Sequence, residues 1–259
     1  MELYEIILCF FIYGFLGWCT EVAFAAAKEQ RFVNRGFLNG PICPVYGIGV
    51  GVVVQFLTPV ENNLVLLYIS STILVTVIEG ITGFLLEKIF HNKWWDYSEQ
   101  PLNIGGYVCV LFSLIWGVFC VLIVKIIHPL IYKVLTMIPL VLGIVVMACL
   151  AVGLLADLYV TASGILKMNR RLEAMEKIAA ELKELSDKVG ENIYENVMEG
   201  MEFREEKKAR IEELKAKYEE MAENRTKVGE RLVKAFPKMQ VGQHKEIFEE
   251  LRERIKRSK

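Results

Sequence analysis

Apolar residues are spread unevenly along this chain. Through the first 165 positions they run in five long blocks, at about 3–27, 41–57, 64–88, 107–127 and 137–162. A hydrocarbon core ~30 Å thick takes about 20 helical residues to cross, so each block reads as a transmembrane helix, the second only just long enough. The punctuation agrees. Thr58-Pro59-Val60-Glu61-Asn62-Asn63 separates the second block from the third, and the fourth is predicted to stop at His128-Pro129, because proline has no N–H to continue the helical ladder. After residue 165 the rhythm changes. Leu172, Met175, Ala179, Leu182, Ser186, Val189 and Ile193 recur every third or fourth place, as do Ile211, Leu214, Tyr218, Met221, Arg225, Val228, Leu232 and Ala235. Both runs fit coiled-coil seams with charge on the other faces. Turns are expected at Gly190 and Gly200, an end to the second helix at Pro237, and a last short helix from about Gln243 to Arg257. The predicted fold is all-α: a five-span transmembrane bundle over 1–165, then a charged helical or coiled-coil tail over 166–259.

Composition sharpens this division. The 259 residues are 54% hydrophobic and 24% charged, with a net charge of −1 and a mean hydropathy of +0.36. Such oiliness does not belong with that much charge in one soluble domain. Residues 1–165 hold 7 Lys and Arg and 10 Asp and Glu, and the tail holds 23 and 21. A single soluble globule, a disordered chain and a disulfide scaffold are excluded, and the near-zero net charge averages two different solvents. Basic residues in the short connections set orientation. Lys28, Arg31 and Arg35 follow the first block, Lys88 and Lys93 the third, and Lys167, Arg170, Arg171 and Lys177 the fifth. With the N-terminus outside, nine basic residues lie inside against Lys125 and Lys133 outside. The expectation is N-out, C-in, without a cleaved signal peptide, since Met1 to Glu5 carry no basic residue. Cys9, Cys19, Cys43, Cys109, Cys120 and Cys149 lie in or beside the blocks and read as small buried hydrophobes.

Four acids interrupt the oily part: Glu21, Glu79, Glu87 and Asp157. A charge at mid-helix costs roughly 2.5–3.5 kcal/mol on an insertion scale, so each needs a reason. Small and hydroxyl residues flank them at helical spacing: Gly14 and Gly17 near Glu21, Thr72, Thr76 and Gly83 near Glu79, Gly153, Thr161 and Gly164 near Asp157. These are the residues that let membrane helices approach, so Glu21, Glu79 and Asp157 are expected to point inward at one depth in the cytoplasmic half. Gly47 and Gly51 form a G-x-x-x-G read as helix packing. Two connections are dense in turn chemistry. Residues 31–47 carry Arg35, Asn39 and Tyr46 among Gly36, Gly40, Pro41 and Pro44, and are expected to re-enter the membrane edge, with Arg35 pairing Glu21, Glu79 or an anionic group. Residues 91–107 carry Trp94, Trp95, Asp96, Tyr97, Asn103 and Gly105-Gly106. Their aromatics suit an interfacial belt, while Asp96 and Asn103 are expected to close the same site from the other side.

Gly17-Trp18-Cys19-Thr20-Glu21, the run Phe32-Val33-Asn34-Arg35-Gly36-Phe37-Leu38-Asn39-Gly40-Pro41-Ile42-Cys43-Pro44-Val45-Tyr46-Gly47, Trp95-Asp96-Tyr97-Ser98 and Asn103-Ile104-Gly105-Gly106-Tyr107 carry a resemblance. Over roughly residues 5–165 the chain resembles the bacterial ABC-transporter type IV, permease-like, membrane family. The resemblance implies a multi-pass protein of the bacterial cytoplasmic membrane and a transport role, and brings no catalytic residues. The sequence has no Gly-Lys pair and hence no phosphate-binding loop of an ATPase, so ATP hydrolysis is expected from a partner subunit. The reading is a permease component whose substrate-binding residues are Glu21, Arg35, Asn39, Tyr46, Glu79, Asp96, Asn103 and Asp157, with no metal, no cofactor and no nucleic acid, and with possible self-association through the tail. Two other readings stand beside it: a membrane enzyme using the acids on lipid headgroups, and a scaffold or regulator working through the tail.

Overall fold

The structure, a computed structural model, describes residues 3–195, 200–242 and 244–257, with the backbone alone at 189–195 and 200–204. The seam positions Val189 and Ile193, and the helix start at Gln243, therefore fall outside the described side chains or residues. The described chain is helical apart from two-residue strands. Among the described residues four helices are long and apolar enough to cross a membrane: Leu3–Glu29, Leu64–Phe90, Val110–Leu135 and Leu140–Lys188.

Helix α1 spans Leu3–Glu29 and α2 spans Pro44–Leu57, with Pro44 in the first turn, where a missing N–H costs nothing. A short 3-10 turn, Thr58–Val60, extends α2. Its 14 residues rise only about 21 Å at 1.5 Å each. The preceding loop runs back along α1 until the Cys43 amide donates to the Gly14 carbonyl at 2.9 Å, about 22 Å from Glu29 along the helix axis. Glycine makes this approach possible, since a Cβ at Gly14 would lie 2.7 Å from Ile42. Of the two glycines of the G-x-x-x-G only Gly47 packs closely, against the Phe10 carbonyl, and Gly51 faces open space.

Helix α3, Leu64–Phe90, starts under Asn63, whose side chain accepts from the Leu66 amide, and ends at His91 in the left-handed region. The fourth helix does not stop at His128-Pro129. Helix α4, Val110–Leu122, passes through a π turn at Ile123–Ile127 into α5, His128–Leu135. The wider turn puts the proline in the first turn of α5, so its missing donor leaves the helix unbroken. Helix α6, Leu140–Glu195, is continuous for 56 residues, about 84 Å. Gly190 lies within it and makes no turn. The second tail run is not one helix either. Helix α7, Gly200–Glu223, ends, and α8, Lys227–Ala235, begins afresh with the Thr226 hydroxyl accepting from the Gly229 amide at 3.2 Å, a side-chain N-cap. Helix α9 is Lys245–Arg257.

Two compact units result. The first joins Met1–Ala162 to Arg231–Gln240. Its core is Leu8, Cys9 and Tyr13 of α1, Val53 and Val54 of α2, Leu67 of α3, and Cys120, Val124 and Leu135 beyond. Of the cysteines, Cys149 faces outward and Cys19 is half-buried, against the expectation that all are buried. The second unit joins Ser163–Glu230 to Val241–Lys259. It buries Ile165, Met168, Leu172, Met175 and Ile178 of α6 with Leu214 and Ala222 of α7 and Phe248, Leu251 and Ile255 of α9. Helices α6 and α7 run antiparallel there, with Arg210 on Glu181 at 3.0 Å and Arg171 on the Asn224 carbonyl.

Candidate functional site

The loop between α1 and α2 is held almost bond by bond. Asn34 bridges it internally: its Oδ1 accepts from Trp18 Nε1 at 2.7 Å and from the Gly36 amide at 3.0 Å, and its Nδ2 donates to the Asn39 carbonyl at 2.8 Å. Asp157 on α6 holds the loop's crest. Its Oδ1 accepts from the Asn39 amide at 3.0 Å, from Asn39 Nδ2 at 2.7 Å and from the Thr161 hydroxyl at 3.2 Å. Its Oδ2 accepts from the Gly40 amide at 2.6 Å. Irregular backbone beside apolar helices survives only where such partners exist.

A residue outside the expected set completes this network. Arg231 of α8 donates to the Gly36 carbonyl at 2.8 Å, the Phe37 carbonyl at 2.8 Å and Asn39 Oδ1 at 3.0 Å. Burial pulls the Arg231 pKa down, and the Asp157 carboxylate works against that as its counter-charge. Its role leaves no signal in the sequence, where Arg231 stands among the other charged residues of the tail.

Glu21 and Glu79 form a second group. Tyr46 donates to Glu21 Oε1 at 2.6 Å, and Arg35 Nε lies 3.3 Å from Glu21 Oε2. Tyr46 stands over Gly17, where a Cβ would be 2.3 Å from its ring. From the other loop, Tyr97 reaches Glu79 Oε1 at 3.4 Å. Burial pushes the Tyr97 phenol up, and Glu79 and then Glu21 add to it, so one hydroxyl feels both acids. Trp116 packs on Tyr46 with centroids 5.7 Å apart, and Phe112 on Tyr97 at 5.1 Å. Among the described residues Glu79 receives only the long Tyr97 bond and faces no basic side chain. Thus Glu21, Arg35, Tyr46 and Glu79 are brought together, while Asn39 and Asp157 belong to the first network. Glu87 faces Tyr107.

Asp96 and Asn103 build their own loop. Asp96 pairs with Lys93 at 2.9 Å and accepts from the Ser98 amide at 3.1 Å, the Ser98 hydroxyl at 2.5 Å and Gln240 Nε2 at 3.0 Å. Its slight burial works the other way, but the Ser98 and Lys93 bonds prevail and hold it at about 2. Asn103 donates to the Gln100 carbonyl at 2.8 Å and accepts from the Gly106 amide at 3.2 Å. Asn103–Ile104 pairs antiparallel with Val108–Cys109. Gly106 sits in the turn at φ 72°, where a Cβ would lie within 2.4–2.6 Å of Lys93 Nζ, Asp96 Oδ1 and Ser98 Oγ. The compact turn presents Tyr97, whose amide donates to the Gly106 carbonyl at 2.9 Å. Tyr97 was legible only as a belt aromatic, and Phe112 and Trp116 drew no expectation from the sequence. No group of three His, Cys, Asp or Glu able to hold a metal is present among the described residues.

Comparison with curated proteins and with solved structures gives no match. One family model, described as "Putative ABC-transporter type IV", matches residues 8–162. That stretch holds both loops and Glu21, Glu79, Glu87 and Asp157, and the chain belongs to the ABC-transporter type IV family.

Proposed function

We propose that the chain is the membrane component of a transport system for a small organic cation, with its binding site at Glu21, Arg35, Tyr46, Glu79 and Tyr97. The observation that carries this is Glu79: a carboxylate on an apolar helix with one long hydrogen bond and no cation among the described residues. An ionisable group in such a helix calls for a partner. Of the two acids here only Glu21 is paired with a guanidinium, that of Arg35, and the rings of Tyr46, Tyr97, Phe112 and Trp116 lie beside them. That excess of negative charge beside aromatic faces favours a positively charged solute.

The protein then crosses the bacterial cytoplasmic membrane five times, N-out and C-in, with α2 completed by its re-entrant loop. The basic residues of the alternate connections support this orientation. So do the contacts of both loops within one unit, where Phe37 packs on Trp94 at 5.1 Å. ATP hydrolysis belongs to a partner subunit, and the helical tail is where that subunit or a second copy docks. Binding of tetraethylammonium and choline to the purified protein in nanodiscs tests the site. Saturable binding that falls at least tenfold in Glu79→Gln and Glu21→Gln is the expected outcome. Equal binding by both variants and the parent sinks the reading.

A further inference from the structure

The first segment of the second unit, Ser163–Glu230, is flanked in the chain by two first-unit residues that converge on one side chain. Asp157 lies on α6 five residues before Ala162, the last residue of the first unit's leading segment, and Arg231 opens that unit's second segment. Both bind Asn39: its amide group donates to Asp157 and its carbonyl oxygen accepts from Arg231. The backbone on either side is held by the same two residues, at Gly36 and Phe37 by Arg231 and at Asn39 and Gly40 by Asp157. Arg35, the partner of Glu21, is the next residue in the loop. Just inside the second unit the same two helices meet directly. Gly164 of α6 meets Val228 of α8 so closely that a Cβ would be 2.6 Å from Val228 Cγ1. Gly164 is seven residues, about two turns, from Asp157, and Val228 is three residues, under one turn, from Arg231.

We propose that Asn39 is a conformational relay: a change in the spacing of α6 and α8 within the soluble unit shifts Asp157 and Arg231, and through Asn39 the loop that carries Arg35. Helices transmit such displacements because their hydrogen-bonded turns are stiff. A side chain bound from both helices registers their separation, which a side chain bound from one cannot do. An element whose state both regions bias is what coupling requires. The relay stands apart from the transport reading, because its readout is the loop itself and not any solute.

The experiment is amide hydrogen exchange of the full chain in nanodiscs, followed at residues 36–43. Gly164→Val wedges the two helices apart inside the soluble unit, and Gly164→Ala does so less. Both are expected to speed exchange at 36–43, by about threefold or more for valine, with a smaller change for alanine. Arg231→Gln is expected to speed it more than tenfold. In the Arg231→Gln background the wedge adds nothing. Arg231→Lys does not restore protection, because one ammonium cannot serve three acceptors held in fixed positions; a role in packing alone would be rescued by lysine. Protection of α7 and α9 reports that the soluble unit stays folded. Unchanged exchange at 36–43 in both wedge variants overturns the proposal. So does a wedge effect of the same size with and without Arg231.

Discussion

Asp157 and Glu79 are the same kind of anomaly, an acid on a long apolar helix, and the protein treats them in opposite ways. Asp157 is saturated. Four donors converge on its two oxygens, two of them backbone amides of a loop that otherwise has no partner for them. Glu79 receives one long bond from a tyrosine that also feels Glu21. A carboxylate that satisfies a backbone is part of the architecture, and its loss is felt in folding. A carboxylate left short of donors and cations holds capacity for something that comes and goes. Charge in an apolar helix does not by itself separate these roles, whereas the count of committed donors does.

The comparison breaks first at Asp157→Ala. That change strands the Asn39 and Gly40 backbone amides and leaves Arg231 without its counter-charge, and orphaned buried polar groups cost about 1–3 kcal/mol each. A loss of more than ~3 kcal/mol is expected, read as lowered resistance to denaturant in detergent. Glu79→Gln should do the reverse: cation binding falls at least tenfold while stability stays within ~1 kcal/mol, because an uncompensated buried charge is not stabilising. If the two variants exchange these outcomes, the distinction fails. Gly106→Ala comes next. Its methyl meets three polar atoms at a positive φ, a strain of order 1–3 kcal/mol, expected as faster tryptic cleavage at Lys93. Tyr97→Phe removes one long bond, and a loss of about 1 kcal/mol or less in cation affinity is expected by calorimetry. The smallest effect concerns acid. Asp96 is held low, at about 2, below the ordinary carboxylate range. Its contribution is therefore present above the ordinary carboxylate pKa and is lost as pH falls through about 2. Exchange of the Ser98 amide, corrected for its intrinsic rate, should stay protected from pH 6 to pH 3. Loss of protection near pH 4 would show that the Ser98 and Lys93 bonds do not hold in solution.

Much of this was legible along the chain, and the misses have physical causes. Helices α1 and α3 end within two residues of their apolar blocks because an apolar run bounded by Asn63, or by Gln30 and Arg31, leaves little choice. The block at 41–57 was also found, but its helix begins at Pro44 only because the loop before it descends to Gly14, a long-range fact that periodicity does not record. The pairing of Arg35 with Glu21 was among the expected options, since one basic residue lay close to one acid. Arg231 was out of reach: its partners are some 192 to 195 positions away, and on α8 it looks like any solvated charge of the tail. Proline at 129 was read as a stop by its local rule, and the π turn before it overruled that rule. The cap at Thr226 went unread, because the seam through Arg225 and Val228 ran across it as one helix.

The 192 positions between Asn39 and Arg231 also set an order of events during synthesis. At ~5–20 residues per second, roughly 10–40 s pass between translation of the loop and translation of the arginine that closes it. The five apolar blocks have left the ribosome by then, and the Gly36 and Phe37 carbonyls still lack the partner they have in the finished fold. Insertion and completion are therefore separate stages in this protein. Between them lies a window in which quality control meets an unfinished loop, and a ribosome that stalls anywhere between Ser163 and Glu230 leaves that window open.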